Sequence, residues 1–380
     1  MKAPFEDQDF EAIRKKAYAL RHNYFDDMEK HLLFFETSLQ NKGMNVMWVK
    51  DSDSLLQAVQ NQVDDMNAYR VGFDTQHPIE SQIEGKIDVV PFEVEEKSSD
   101  DLDLLVVDAD FAVCDSGSLV FLDRKSACCF NKVKNMVVIV NIDQVIVNQK
   151  DISFFIALKN YSKDAGISKD VKIIKNPPQY VIPSDISYVS DQMFSQDPMK
   201  ITVLLYLNGI EGILSSEVDI LKESLYCIKC GRCLDACPAA NAAVSEKEKI
   251  SPIELVKLNS MDKYNRTQHI FSHTTLCGAC DCVCPVKIPL VHLLLYEMQV
   301  SNQVSNSSRS KQLFSLFDKR SKLNKVNNPF FRFFFVKRFL GKNKSLSRYF
   351  SGQKGDFFNI TYQPPYEDNP NEIIKDTDFE

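Results

Sequence analysis

The chain has 380 residues, of which 44% are hydrophobic and 26% charged, and its formal net charge is −7. This length allows two or three domains, and the composition is that of a soluble globular protein rather than a disordered chain. No apolar run approaches the roughly 20 residues of a membrane-spanning helix, and the charged N-terminus lacks the apolar core of a secretory signal, so we expect a cytoplasmic protein.

The first two hundred residues alternate between helix and strand patterns. Apolar positions three and four residues apart predict one long helix over residues 8–42. Asn45–Lys50 then predicts a strand, and Asp51 or Ser52 can cap the helix that follows. Short runs of Val, Ile and Leu predict buried strands at Leu104–Asp108, Leu119–Leu122, Met136–Val140 and Val145–Val147. Strands alternating with helices indicate an α/β domain.

Less regular segments interrupt this alternation. The acidic stretch Gly85–Asp101 is expected to be irregular, and the four prolines of Lys172–Pro198 predict mostly loop. Between them, Asp151–Lys159 has a helical pattern. Residues 200–213 predict a last strand and turn, so the domain boundary is expected near 205–222.

A polar segment between two predicted strands is a candidate site. It contains Asp108, Asp110, Asp115, Ser116, Gly117 and Ser118. At a strand end of an α/β sheet such a turn can bind a ligand. A tight turn is the simpler interpretation, and we favour it. Cys114, Cys128 and Cys129 are expected to be buried apolar side chains.

Eight of the 11 cysteines lie in two groups between Cys227 and Cys284. The first group has the bacterial ferredoxin spacing C-x2-C-x2-C-x3-C-P, formed by Cys227, Cys230, Cys233, Cys237 and Pro238. In this motif three cysteines bind one cubane and the fourth binds the other cluster. Zinc sites also use C-x2-C pairs, but a Cys-Pro ending after both groups favours iron–sulfur clusters.

The second group departs from the ferredoxin spacing. It contains Cys277, Cys280, Cys282 and Cys284, followed by Pro285. Aligned on the final Cys-Pro, the position of the first group's leading cysteine is Thr274. One expected ligand is therefore missing, and Cys282 is additional.

The motif predicts two clusters, most simply both [4Fe–4S]. The first would be bound by Cys227, Cys230, Cys233 and Cys284, and the second by Cys237, Cys277 and Cys280. The fourth ligand of the second cluster stays open. Cys282, His273 or a hydroxyl can serve, or the cluster can be [3Fe–4S].

Two helices are predicted beside these groups. Ser251, Pro252 and Glu254 have the pattern of an N-cap, a first helical residue and a capping box. Leu290–Gln299 is the second candidate.

The C-terminal tail has a different composition. Residues 309–348 contain twelve Lys or Arg and one acid, a net +11 that leaves −18 on the rest of the chain. This segment would dock an acidic partner or a membrane surface, or it is a partly disordered tail. The aromatic run Phe330–Phe339 would serve as an interfacial anchor or fold back onto the protein, which we favour.

The cysteine pattern and its ending CGAC-x3-CPVKIPL at Cys277–Leu290 resemble the lactate-utilization protein B family, as do residues 14–50 and 108–122. The resemblance implies an α/β domain of the LUD type, related to sugar-phosphate isomerases and CoA transferases, followed by a helical dicluster ferredoxin-type domain. The family pattern tolerates the missing ligand before Cys277. The acidic stretch before residue 102 and the C-terminal tail do not resemble the family.

We therefore expect four segments: a helical arm (1–42), a LUD-like α/β domain (43–213), a dicluster 4Fe–4S domain (214–304) and a basic, aromatic tail (305–380). The resemblance implies an electron-transfer subunit, rather than a catalytic one, of a complex that oxidises L-lactate to pyruvate. Its implied partners are a Cys-rich iron–sulfur oxidoreductase subunit and a second LUD-type protein. We expect no nucleic-acid partner, and peripheral membrane contact is an option.

Two other functions stay open. One is a redox- or metabolite-sensing assembly protein whose clusters report redox state. The other is an enzyme that uses an open iron of the second cluster as a Lewis acid.

Overall fold

The computed structural model describes residues 10–83, 87–90, 102–130, 133–160, 171–177, 179–181, 194–242, 249–260 and 274–304. His273, the basic segment 309–348 and Phe330–Phe339 lie outside the described residues. Contacts along the chain define two compact units: unit 1 is Met1–Ser215 with Leu225–Cys230, and unit 2 is Ser216–Ser224 with Gly231–Glu380. Among the described residues, no helix is long and apolar enough to cross a membrane.

Unit 1 begins with two helices where the sequence predicted one. Helix α1 is Phe10–Asp26 and α2 is Met28–Gln40, and Asp27 between them has the non-helical angles φ −118° and ψ 33°. The prediction of one long helix is wrong at this residue. Apolar side chains three or four residues apart face the interior in both helices, so the periodicity runs through the break and does not reveal it.

The described residues contain twelve strands: β1 Asn45–Val49, β2 Arg70–Asp74, β3 Asp88–Val90, β4 Leu104–Asp108, β5 Phe111–Val113, β6 Ser118–Leu122, β7 Asn135–Asn141, β8 Val145–Ile146, β9 Val171–Ile174, β10 Gln179–Val181, β11 Phe194–Pro198 and β12 Lys200–Tyr206. Six of them form a parallel sheet in the order β1-β12-β7-β4-β2-β3. All of β4 and nearly all of β7 are buried, as expected of central parallel strands.

A second sheet has four strands in the order β8-β5-β6-β9, with antiparallel and parallel pairs, and β10 pairs antiparallel with β11. Three of these strands fall within the range predicted to be mostly loop, so that prediction is wrong for β9, β10 and β11. Pro177 lies between β9 and β10, and Pro198 ends β11, positions where a strand tolerates a missing N–H.

Helix α3, Ser52–Asp65, begins where the sequence predicted. The Asp51 carboxylate accepts a hydrogen bond from Ser54 N at 2.9 Å, and the Ser54 hydroxyl oxygen accepts one from Asp51 N at 3.0 Å. This reciprocal pair satisfies two backbone donors that the first helical turn leaves free. Unit 1 also contains α4, Ile152–Asn160, and α5, Glu211–Leu214.

Unit 2 contains helices in its described residues: α6 Asp219–Lys222, α7 Arg232–Asp235, α8 Pro238–Asn241, α9 Pro252–Ser260, α10 Ala279–Val283 and α11 Leu290–Val304. The predicted capping box of α9 is confirmed, because Glu254 N donates to Ser251 Oγ and Ser251 N to Glu254 Oε2. Helix α9 packs against α11, and Ser260 Oγ lies 2.6 Å from Glu297 Oε1. Helix α7 packs against α10, which brings two cysteine-bearing helices together.

Candidate functional site

The two cysteine groups adopt the same backbone geometry, offset by 47 residues. Lys229 and Leu276 both have φ 53°, and Gly231 and Gly278 have φ 83° and 80°. Each glycine is the N-cap of a short helix, α7 or α10. Lys229 and Leu276 show that these loops tolerate a φ near 53° in other residues, but the wider φ near 80° is favourable mainly for glycine, which explains Gly231 and Gly278.

Equivalent hydrogen bonds recur in both groups. Leu234 N donates to Gly231 O at 2.9 Å, and Asp281 N donates to Gly278 O at 3.1 Å. The two groups therefore correspond residue by residue when Cys237-Pro238 is aligned with Cys284-Pro285. This alignment places Thr274 opposite Cys227.

Thr274 stands in the place of the missing cysteine. Lys229 N lies 3.4 Å from Cys227 Sγ, and at the equivalent position Leu276 N donates to Thr274 Oγ1 at 3.2 Å. The Thr274 hydroxyl thus has the same relation to its loop as the sulfur of the first group's leading cysteine.

Cys282 has a different environment from the cysteines around it. It is exposed on α10, whereas Cys280 and Cys284 are buried. Its equivalent in the first group is Asp235, which is also exposed. Cys282 is therefore separate from the buried thiols of this segment.

Three thiols of one predicted ligand set lie near one another. Burial raises the pKa of the Cys280 thiol, and the charges of Asp281, Cys277 and Cys237 raise it further. Cys237 and Cys280 are buried, and Cys277 is partly exposed. A positive metal charge beside such thiols would favour their thiolate forms. Three thiolates and a hydroxyl form a donor set that would leave one iron of a cluster without a cysteine ligand.

The four cysteines predicted to bind the first cluster are divided between the two units of the chain. Cys227 and Cys230 belong to unit 1, and Cys233 and Cys284 belong to unit 2. Ile288 N lies 3.4 Å from the Cys284 sulfur, an approach of the kind that tunes cluster potentials. Binding of one cluster by these four cysteines stays a prediction.

A polar cleft lies in unit 1 at the carboxyl ends of β2, β4 and β7, where open α/β sheets bind ligands. Its volume is about 640 Å³. Asp74, Asp108 and Asn141 are the last residues of these three strands, and all three line the cleft.

The carboxylates at this edge are held by internal donors. Asp110 lies 2.7 Å from Lys159 Nζ and 3.1 Å from Arg124 Nε. Burial raises the pKa of Asp110, but Lys159 and Arg124 lower it by more, so the net shift is below the ordinary value. Asp108 accepts hydrogen bonds from Thr75 Oγ1 at 2.8 Å and Gln76 N at 2.7 Å.

The polar segment considered in the sequence divides into two parts. Asp115, Ser116 and Gly117 lie in the turn that joins β5 to β6, which Ser118 begins, as the turn interpretation expects. Asp108 and Asp110 instead line the cleft, so for them that interpretation is wrong.

Other predictions for unit 1 have mixed outcomes. Cys114 and Cys129 are buried as expected, but Cys128 is exposed, because it lies on the outer side of a short 3₁₀ turn. Sequence reasoning missed Asn141, Gln144, Lys159 and Lys229 as cleft residues. For Asn141 the available signal was a polar residue at the end of a buried strand.

The fold and motifs define a protein with a parallel α/β sheet and a 4Fe-4S dicluster segment. Residues 223–288 match the family described as "4Fe-4S dicluster domain". This match supports iron–sulfur binding in that segment.

Parts of the chain are similar in sequence to several named proteins. Lactate utilization protein B of Lysinibacillus sphaericus is 23% identical over 203 residues, which cover 52% of this chain and 40% of that protein. The protein of the same name from Bacillus cereus is 34% identical over 106 residues, 27% of this chain and 22% of the other. The uncharacterized electron transport protein YkgF of Escherichia coli is 30% identical over 118 residues, covering 30% and 24%. The chain is thus a relative of lactate utilization protein B, and the match spans less than half the length of each of these relatives.

Proposed function

We propose that the chain is an electron-transfer subunit that carries two iron–sulfur clusters. Cys227, Cys230, Cys233 and Cys284 would bind the first, and Cys237, Cys277 and Cys280 the second, with Thr274 at the remaining position. The observation that carries this proposal is the repeated loop geometry of the two groups, and the influence of Cys237 and Cys277 on the pKa of the Cys280 thiol supports it.

Two clusters in one segment suit the transfer of electrons one at a time. Each bound cluster supplies a one-electron carrier whose potential depends on its hydrogen bonds, charge and exposure. The chain's own contribution is to place buried sulfurs and nearby N–H groups, such as Ile288 N beside Cys284. Removal of two electrons from a hydroxyacid would then be divided into single steps.

The relatives support a role in lactate utilization. We place the chain in a complex that oxidises L-lactate to pyruvate, with a Cys-rich iron–sulfur subunit and a second LUD-type protein as partners. The parallel sheet of unit 1 is consistent with a LUD-type domain related to sugar-phosphate isomerases and CoA transferases. In this role the α/β unit binds substrate or partners, and the clusters conduct electrons.

Metal analysis of protein purified without oxygen tests the proposal. About eight irons and eight sulfides per chain, with two interacting reduced EPR signals, are expected for two cubanes. About seven irons and an oxidised [3Fe–4S] signal would mean that Thr274 does not retain the fourth iron. Zinc in place of iron would overturn the assignment. Copurification with other redox subunits favours electron transfer, whereas a cluster that responds to oxidant without such partners favours a sensor.

A further inference from the structure

Two lysines of the cleft in unit 1 could bind an anion. Lys125 and Lys229 are exposed residues that line it, and neither forms an ion pair with any residue in the described ranges. Asp74 accepts two hydrogen bonds from Ser126, and Asp110 is paired with two cations. The carboxylates of Asp74 and Asp110 are therefore engaged, whereas the two lysines can reach a ligand. The exposed carboxylate of Asp123 also lines the cleft.

Two buried amide oxygens in the cleft also lack partners. Gln144 and Asn141 are 2% and 5% exposed, and within the described part of the chain neither Gln144 Oε1 nor Asn141 Oδ1 accepts a hydrogen bond. The orientation of Gln144 is fixed, since its Nε2 donates to Cys227 O at 2.9 Å and to Asp143 O at 3.1 Å. A buried acceptor without a donor is costly, and a ligand hydroxyl would satisfy it.

The same residues connect the cleft to the first cysteine group. Lys229 lies between Cys227 and Cys230, and Gln144 holds the carbonyl of Cys227. Arg21, buried beneath this loop, donates to Val145 O at 2.8 Å and Leu225 O at 3.2 Å. These contacts, all within unit 1, fix the cysteine loop against the wall of the cleft.

We propose that the cleft binds a small hydroxylated anion, with Lys229 and Lys125 on its carboxylate or phosphate and the Asn141 and Gln144 oxygens on its hydroxyls. Because Lys229 lies within the loop of Cys227 and Cys230, the bound charge changes the potential of the cluster at those cysteines. The binding site stands on the cleft alone, whereas the effect on potential rests on the proposed function.

Calorimetry on the full chain, purified without oxygen, tests binding with four probes. L-lactate and glycerol 3-phosphate carry both charge and hydroxyl, propionate carries only charge, and glycerol carries only hydroxyls. Binding of either hydroxylated anion more tightly than propionate and glycerol is expected, and the stronger of the two identifies the anionic group. Absence of binding by both, or equal binding of glycerol, overturns the proposal.

Two variants and a control locate the site. Lys229→Gln removes a charge-assisted contact and is expected to weaken binding about tenfold. Asn141→Asp places a negative charge against the ligand and is expected to weaken it at least as much. Lys200→Gln removes an exposed charge from the amino end of β12, the opposite edge of the sheet, and should leave binding unchanged. Equal effects of Lys229→Gln and Lys200→Gln contradict the site.

An EPR-monitored redox titration tests the coupling. A saturating hydroxylated anion is expected to lower the potential of one cluster, since it offsets the positive charge of Lys229, and Lys229→Gln should abolish that shift. Binding with both potentials unchanged overturns the coupling. If the protein contains no iron, the proposed function fails, and calorimetry still decides whether the cleft binds anions.

Discussion

Thr274 gives the second cysteine group its distinct chemistry. Its hydroxyl has the same relation to the loop as Cys227 Sγ in the first group, with a backbone N–H at 3.2 Å. A neutral hydroxyl binds iron more weakly than a thiolate, because soft thiolates are the preferred ligands of iron–sulfur clusters. The iron beside Thr274 should therefore be the first to leave on oxidation.

Thr274→Cys should retain that iron. We expect brief exposure to oxygen to convert the unmodified second cluster to a [3Fe–4S] form with a characteristic EPR signal, and the variant to resist this conversion. Thr275→Cys, one residue further along, is the matched control and should behave like the unmodified protein. Equal formation of the [3Fe–4S] signal in all three proteins would show that position 274 does not face the cluster.

Substitutions also distinguish the cysteines that bind a cluster from those that do not. Cys233→Ala should remove the first cluster, about four irons per chain, since it removes one of four predicted ligands. Cys282→Ser should leave iron and sulfide content unchanged, because Cys282 is exposed and apart from the buried thiols. Loss of iron from the Cys282 variant would make Cys282 a ligand.

For individual residues, the sequence is informative where the chemistry of a site fixes the spacing of its ligands along the chain. The ferredoxin spacing identified the candidate ligands without any knowledge of the fold. The cleft residues could not be identified in that way, because Gln144 and Lys229 are separated by 85 positions and meet only through the folding of unit 1.

Among the elements, the β5–β6 turn is held closely against helix α2. The Lys42 ammonium donates to the carbonyls of Ser116 and Gly117. Gly117 has φ +51°, and a Cβ added there would lie 3.2 Å from backbone and side-chain atoms of Ser38. The turn therefore favours glycine, both for its left-handed backbone conformation and for the close approach.

Gly117→Ala should lower the free energy of unfolding by about 2 kcal/mol, from left-handed strain and the Ser38 contact together. Gly43→Ala separates the two causes, since Gly43 has φ +77° but nothing within 4 Å of an added Cβ. Gly43→Ala should cost about 1 kcal/mol from left-handed strain alone. Chemical denaturation of the two variants measures the difference, and equal losses would exclude a contribution from the Ser38 contact.

Elements with local signals were predicted better than those that depend on distant partners. The capping residues of α3 and α9 are encoded within one helical turn, and the structure confirms both. Strand β2, RVGFD, has a central glycine and charged ends, and its stability comes from pairing with β3 and β4. No local pattern indicates such a strand, and the sequence analysis therefore missed it.

For the whole molecule, charge is distributed unevenly along the sequence. Residues 309–348 carry a net +11 and the remainder −18. We expect the chain to bind vesicles containing anionic lipid and to lose this binding when residues 305–380 are removed. Binding should weaken steeply between low and high salt, as expected for electrostatic attraction. Cosedimentation checks this, with neutral phosphatidylcholine vesicles as the control; binding that persists in high salt would indicate apolar insertion by the aromatic run instead.

The change in composition after residue 213 suggested a chain of consecutive domains. The structure instead assigns Leu225–Cys230 to unit 1 and the segment before it to unit 2. Contacts such as Arg21 with Leu225 O hold this short segment in unit 1, and they join residues about two hundred positions apart. Composition cannot reveal such contacts.

This interleaving has an evolutionary consequence. Because Leu225–Cys230 belongs to unit 1, recombination at the linker near residue 215 would separate two cysteines from Arg21 and Gln144, which support their loop. Recombination after Cys230 would instead divide the ferredoxin motif. Neither crossover yields two intact modules, so the α/β unit and its cysteine segment are expected to be inherited together.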